Sequence, residues 1–510
     1  MQKRIFRTVT LILLSSLILS SCKKKKGGKD NTRPNIVFIL ADDLGWSDLP
    51  SYGNTFNEAT NINKLAMEGM QFYNAYAANP VCSPSRASIQ TGQYPARIGI
   101  NDFIPGHWRP YELLTVPINR TQFLPLDYKT IGEALQDEGY RTGYFGKWHL
   151  GFTEKHHPRN QGYDESVVYN GGGFFDYNEK MNPATNYPEG TVLSEALTNL
   201  SLNFIEKNKN NPFFLFLSHY DVHVQLEAQD SLIKKYLNKP KTNEYPSNAV
   251  YAAMVENVDT SVGKIMDKLE SLDLSKNTVV VFFSDNGGLV KRYDEIPLIA
   301  QRNLHYYQND TLRYVATSNK PLKKEKGTVY EGGIREPLII KWPDKIEPGS
   351  TSKALVSGID FFPTFLEIAE AKSTNQIIDG KSIVPVLMKK NNISEERVLY
   401  WHYPVYHHDA PAGTIRKGNW KLIHSFQDDS IELYDLENDI GESNNLVDQE
   451  SETVKELYTL LKNWRTDINA ALPMKNESFD VSRRKEWSRH PSFDDMLTGR
   501  QSFKDIIPKN

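Results

Sequence analysis

Three uninterrupted apolar runs punctuate the chain, at residues 36–41, 213–217 and 278–283, with a weaker one at 338–341. Runs without polar alternation predict strands buried on both faces, as in a sheet covered by helices. Polar residues follow the first three directly, where ligands gather outside the carboxyl ends of strands. Between the runs the period changes to that of a helix. Residues 130–138 stop at Gly139, and residues 193–207 carry Leu193, Leu197, Leu200 and Phe204 on one face. Residues 250–269 align Met254, Val255, Val258, Val262, Ile265 and Leu269. Strand and helix patterns alternating at wide spacing predict an α/β fold with a large mixed, mainly parallel sheet.

The pattern changes beyond the polar stretches at 372–376 and 389–394. Short strand candidates at 398–402, 413–416, 420–424 and 431–436 are separated by turn-forming residues such as Asn419 and Asp428-Asp429-Ser430. They predict an antiparallel sheet, followed by an amphipathic helix at 452–469. The expected organisation is a large domain over 34–375 and a smaller α+β domain over 376–510, ending in a tail that wraps the surface. About 490 residues after the leader exceed what one growing core accommodates, so two domains are expected.

The N-terminus reads differently. Lys3, Arg4 and Arg7 precede an apolar run at 9–19, too short for a membrane-spanning helix of about 20 residues. This is a signal-peptide pattern over 1–21. Its end, Leu19-Ser20-Ser21-Cys22, resembles the bacterial lipobox, which implies cleavage before Cys22 and lipidation of that residue. Residues 22–33, rich in lysine and glycine, then form a polar tether. The expectation is an exported lipoprotein on a bacterial envelope membrane, periplasm-facing or at the cell surface.

Composition is ordinary for a globular protein, with 24% charged and 11% aromatic residues. The formal charge of −3 becomes −6 once Lys3, Arg4 and Arg7 are removed. An acidic body with isolated basic residues argues against nucleic-acid binding. Only two cysteines occur. With Cys22 acylated, Cys82 has no disulfide partner.

Asp42-Asp43 follows the first apolar run, and Asp285-Asn286 follows the third. A single aspartate there is more simply a turn or cap residue. Two adjacent carboxylates repel unless a cation or strong donors lie between them. Three carboxylates and an amide oxygen form an all-oxygen set suited to a hard cation. Cys82 itself reads as a small buried hydrophobe or, beside a cation, as a thiolate nucleophile. Arg86 lies about one helical turn beyond it. If residues 144–149 are extended, alternation puts Lys147 and His149 on one face.

The segment Cys82-Ser83-Pro84-Ser85-Arg86, with Thr91-Gly92 beyond, resembles the signature of the type I sulfatases. The family's other elements recur in order: Gly146-Lys147-Trp148-His149, Tyr220-Asp221-Val222-His223, Ser284-Asp285-Asn286-Gly287-Gly288 and Lys326-Gly327-Thr328 with Glu331-Gly332-Gly333-Ile334-Arg335. The resemblance implies an alkaline-phosphatase-like sandwich and hydrolysis of a sulfate ester. It implies that a modifying enzyme acts on the unfolded chain and oxidises Cys82 to formylglycine. The hydrated aldehyde then offers one hydroxyl to attack sulfur and another to expel sulfate.

It further implies a bound Ca²⁺, with Mg²⁺ less favoured, held by Asp42, Asp43, Asp285, Asn286 and the oxygen of modified Cys82. Arg86 would hold the diol, Lys147 and Lys326 would clamp sulfate, His149 would accept the regenerating proton, and His223 would protonate the leaving oxygen. The usual proline soon after His223 is replaced here by Val224-Gln225. Phosphoester hydrolysis is the nearest rival activity, disfavoured by Cys82 and by Asp285-Asn286 where an Asp-His pair would serve zinc. A non-enzymatic glycan-binding protein is the other alternative.

The resembling lipoproteins act on sulfated glycans, so the expected substrate is a carbohydrate O-sulfate. Sugar selectivity is expected outside the sulfate clamp, in segments 101–109 and 401–409. His107, Arg109, His407 and His408 are the substrate-contact candidates there, while Trp401 and Tyr403 serve equally well as structural aromatics.

Overall fold

The computed structural model describes residues 33–106, 108–292, 296–372, 374–389, 397–484 and 486. The expected leader, Cys22, the tether and His107 lie outside the described residues. In chain order the strands are β1 (Asn35–Ala41), β2 (Met70–Tyr76), β3 (Leu114–Thr115), β4 (Arg141–Gly146), β5 (Glu165–Tyr169), β6 (Met181–Asn182), β7 (Phe213–Ser218) and β8 (Thr278–Ser284). They continue with β9 (Arg335–Lys341), β10 (Ser350–Ser352), β11 (Val356–Ser357), β12 (Val398–Tyr403), β13 (Ala412–Lys417), β14 (Trp420–Ser425), β15 (Ile431–Asp435) and β16 (Met474–Lys475).

The large sheet runs β10-β2-β9-β8-β1-β7-β4-β5-β6, with β11 beside β2. Its centre is parallel: β1 pairs with β7 and β8, and β4 with β7. The weak run at 338–341 is the second half of β9, which lies antiparallel to both β8 and β2. That reversed strand, together with β6, which lies antiparallel to β5 at the far edge, makes the sheet mixed.

The uninterrupted apolar runs follow from double-sided burial. In β1, Val37, Ile39 and Ala41 join one core layer while Ile36, Phe38 and Leu40 join the other. Helices Leu193–Asn208 and Ala249–Ser271 pack on the first layer, and helices Ile131–Asp137 and Phe361–Ile368 on the second. Two of these four helices start at side-chain caps. Asn248 accepts the Val250 and Tyr251 N–H groups, and Thr130 forms a reciprocal capping box with Glu133.

The second sheet has the order β12-β13-β14-β15 and is wholly antiparallel. Leu457 and Leu461 of helix Ser451–Asp467 cover one face through Ile415, Leu422 and Leu433. The sheet docks on the first through Trp401, whose ring meets Tyr76 at 5.2 Å and whose Nε1 donates to the Ala77 carbonyl at 2.7 Å. A buried ionic cluster joins the two as well. Fully buried Lys421 lies 2.9 Å from Glu331 Oε1 and 2.7 Å from Glu442 Oε1. Glu331 Oε2 accepts from Arg335 Nε at 2.5 Å and Tyr76 Oη at 2.8 Å. Beyond the helix the chain returns to the large domain, where β16 pairs with β3.

Candidate active site

Strand register brings the polar residues together. Ala41 of β1 pairs with Ser284 of β8, so Asp42 and Asp285 emerge side by side. On the other flank Leu40 pairs with Ser218 of β7, which also pairs with Gly146 of β4. Four adjacent parallel strands thus deliver Asp42-Asp43, Asp285-Asn286, the 219–223 segment and the 147–149 segment to one edge. Asp43 adopts a left-handed backbone, φ 61°, and its N–H donates to Asp285 Oδ1 at 3.2 Å.

Cys82 opens the buried helix Cys82–Thr91 after an extended Val81. Pro84 is tolerated in the first turn, where an N–H would lack a helical acceptor. Sγ of Cys82 lies 3.6 Å from Asp42 Oδ1, 4.0 Å from Asp43 Oδ1, 3.4 Å from Lys147 Nζ and 3.5 Å from Lys326 Nζ. Burial pushes its thiol up to about 12, although both lysines pull the other way. That weighs against a thiolate nucleophile. One turn on, Arg86 Nε donates to Asp285 Oδ2 at 2.8 Å, and its Nη1 donates to the Lys147 carbonyl and to Ser218 Oγ.

Each lysine now holds a carboxylate. Lys147 Nζ donates to Asp42 Oδ2 at 2.6 Å, and Lys326 Nζ bridges both oxygens of Asp43 at 2.6 and 2.7 Å. Burial would raise Asp42, but Lys147, His223 and Arg86 together hold it well below the usual carboxylate range. Burial dominates at Asp285 and lifts it to about 7 despite Arg86. Ligand atoms of Asp42, Cys82 and Asp285 lie within 4.8 Å of one another, as do those of Asp43, Cys82 and His223. Asn286 Nδ2 donates to Asp43 Oδ1 at 2.8 Å, while its Oδ1 is buried without a hydrogen-bond partner. An orphaned amide oxygen among three carboxylates is a donor set that fits a hard cation such as Ca²⁺.

The histidines differ in tautomer. His149 Nε2 meets the Ile104 carbonyl at 2.6 Å, so that nitrogen carries the proton and Nδ1 keeps its lone pair. Nδ1 is buried and has no partner. Burial, reinforced by Lys147, holds the ring neutral. In His223, Nδ1 donates to the Val224 carbonyl at 2.5 Å, leaving the Nε2 lone pair 3.7 Å from Asp43 Oδ2. Burial lowers this ring to about 4, opposed by Asp43. Extended alternation does not bring Lys147 and His149 together. Strand β4 ends at Gly146, and His149 has φ 58°, a turn that aims its ring into the cleft.

A cleft of about 530 Å³ opens above Cys82, lined by Lys147, His149, His223 and Lys326 at its base. His407 and His408 line its wall, with their Nδ1 atoms 2.6 Å apart. Gly327, at φ 75°, lies so close beneath His407 that a Cβ there would collide with the ring. Arg109 is not among the lining residues. Its Nη2 donates to the His407 carbonyl at 3.1 Å, and Nη1 lies 3.6 Å from Glu112. Trp401 and Tyr403 are buried, the latter donating to Asp102 Oδ1 at 3.3 Å. Ser218 and the Ile104 carbonyl are site groups that the sequence reading does not single out. Ser218 and Ile104 carry no sequence signal, because what matters is a strand-end hydroxyl and a main-chain oxygen.

Residues 34–371 match the family model described as Sulfatase, and residues 324–467 match that described as N-sulphoglucosamine sulphohydrolase, C-terminal. A sulfatase of Formosa agariphila is 32% identical over 523 residues, covering 87% of this chain and 90% of that one. The N-acetylgalactosamine-6-sulfatase of Rattus norvegicus is 33% identical over 393 residues, covering 72% and 68%. The crystal structure of Ps i-CgsB in complex with k-i-k-neocarrahexaose superimposes with a TM-score of 0.72 at 27% identity, covering 94% of this chain and 98% of that one.

Proposed function

The chain belongs to the sulfatase family, and from that premise we propose that it removes O-sulfate groups from a carbohydrate using formylglycine made from Cys82. The observation that carries this reading is the setting of Cys82 Sγ, at a helix N-terminus within 3.4–4.0 Å of two ammonium groups and two carboxylates. The hydrated aldehyde would supply two hydroxyls on one carbon. A Ca²⁺ held by Asp42, Asp43, Asp285 and Asn286 would acidify an oxygen at position 82 and offset negative charge on sulfate.

The protein groups then have distinct tasks. A cation on Asp42 and Asp43 would leave Lys147 and Lys326 free to bind sulfate oxygens and stabilise charge on them. Arg86 stays on Asp285 and orients side chain 82. The unpartnered Nδ1 of His149 accepts the proton whose removal expels sulfate. His223 donates to the leaving sugar oxygen from its charged form, which the bound anion favours over the neutral ring.

The carbohydrate substrate is supported by relatives named for N-acetylgalactosamine 6-sulfate and by the similar structure solved with a neocarrahexaose. His407 and His408 on the cleft wall are proposed sugar contacts. The leader pattern and Cys22 support an exported, lipid-anchored protein on a bacterial envelope, and Cys82-Ser83-Pro84-Ser85-Arg86 supports a modifying enzyme acting on the unfolded chain. Among the described residues no helix is long and apolar enough to cross a membrane.

Sulfate release from a panel of defined sulfated saccharides tests the reading, with Cys82→Ala as the inactive control. Protein whose position-82 peptide carries the aldehyde by mass spectrometry, yet which frees no sulfate from any sugar, would refute it.

A further inference from the structure

Three consecutive glycines, Gly171-Gly172-Gly173, line the same cleft as the two histidines. Glycine is needed where the backbone turns left-handed, or where something approaches too closely for a Cβ. None of the three has a left-handed φ. At Gly171 a Cβ would collide with the Tyr169 ring, so the protein itself explains that glycine. At Gly172 a Cβ would meet nothing within 4 Å, and at Gly173 it would only graze Glu227 and Tyr169 at 4.0 Å. Nothing inside the protein requires those two.

The segment is nevertheless held firmly. Tyr169 Oη donates to the Gly173 carbonyl at 2.7 Å and accepts the Gly173 N–H at 2.8 Å. Glu227 Oε2 accepts the Phe174 N–H at 2.9 Å, and the Phe174 carbonyl accepts from Leu193. Fixed in this way, the N–H groups of Gly171 and Gly172 have no hydrogen-bond partner among the described residues. One aromatic ring separates the platform from the sulfate clamp. Tyr220 packs on Tyr169 at 5.0 Å and donates to its carbonyl, and its ring centroid lies 5.7 Å from Lys147 Nζ. The same cleft holds the unpartnered His149 Nδ1 and far exceeds the space a sulfate group alone would fill.

We infer that the Gly172 main chain is the floor of the sugar subsite, against which the sulfated pyranose ring lies flat and to which it presents hydroxyl acceptors. This rests on the carbohydrate reading above and adds its recognition element. Main-chain N–H groups on a side-chain-free surface suit a puckered ring with hydroxyls on its rim. Phe152 and Phe174 line the same cleft and add apolar surface.

The test is Gly172→Ala, with Gly172→Val as the larger probe, in the aldehyde-bearing full chain. The substrates are the best saccharide of the panel and 4-nitrophenyl sulfate, whose flat ring has no hydroxyls to offer the peptide groups. Because the added methyl has open space, the melting temperature should hold or rise. KM for the saccharide should rise about tenfold or more, as one intruding methyl costs in a fitted pocket, and kcat/KM should fall less for the aryl ester. Equal changes on both substrates, or less than about a twofold change on the saccharide, would overturn the assignment alone. Parent protein that cleaves 4-nitrophenyl sulfate but no saccharide would overturn the carbohydrate reading and this floor with it.

Discussion

Replacing Lys421 with Met should unlock the two sheets and do so in a pH-dependent way. Lys421 is fully buried between Glu331 and Glu442, at 2.9 and 2.7 Å. The partners are unequal. Glu331 keeps Arg335 and Tyr76 after the substitution, whereas Glu442 keeps only the Glu331 N–H at 2.7 Å. Removing one member of a buried pair costs about 3–5 kcal/mol, since a charge is stranded away from water. That is a large part of the about 5–15 kcal/mol that separates folded from unfolded protein.

Protonation sets the pH window. Burial already raises Glu442 to about 7, against the pull of Lys421 and with Glu331 adding to the rise. Its folded pKa exceeds the unfolded one, so its contribution is intact below about 4.5 and is lost as pH rises through about 7. Without Lys421 the carboxyl should hold its proton to higher pH still. The deficit against parent protein should therefore grow above pH 7, by up to about 1.4 kcal/mol per pH unit. Chemical unfolding at pH 6, 7 and 8.5, followed by tryptophan fluorescence, measures this. Glu442→Gln in the Lys421→Met background should recover part of the loss. A single variant within about 1 kcal/mol of parent, or a deficit identical at all three pH values, would refute the reasoning.

Two further outcomes follow from the cleft. Asp285→Ala should lower bound metal and abolish turnover, because Asp285 also anchors Arg86; plasma emission spectrometry on purified protein checks the stoichiometry, and an unchanged value removes this residue from the cation site. His149→Ala should lower kcat by about 10²–10⁴-fold while preserving a first-turnover burst of desulfated sugar; rapid quench resolves it, and loss of the burst would assign His149 to the first step.

The segments that meet in the candidate site were legible as short contiguous strings, several of them at strand ends. Central strands β1, β7 and β8 were legible for a related reason, since burial on both faces leaves no polar interruption. Strand β2 was not. Its sequence mixes Gln71 and Asn74 with apolar residues, and its pairing with β9 shifts register between Phe72 and Ala75. Nor could periodicity reveal that β9 runs against its neighbours, because direction is decided by how the chain returns. His149 shows another limit. Alternation assumed extended backbone, whereas the chain leaves the sheet at Gly146 and reaches the same cleft through a left-handed residue. Arg109 had suitable chemistry for a sugar contact, but its placement depends on Glu112 and the His407 carbonyl, tertiary partners that local sequence does not announce.

The depth of Cys82, with 2% of its surface exposed in a helix buried along its whole length, turns activity into a matter of timing. On the proposed modification, an enzyme that grips the segment from 82 to 86 would have access only until this helix docks, so oxidation would compete with folding. A molecule that folds first would be sealed with its thiol intact. A preparation would then mix competent and blank copies, and its specific activity would report their ratio as much as any rate constant. Slowing production should raise activity per milligram without changing KM, whereas unfolding and refolding purified protein should leave the ratio fixed.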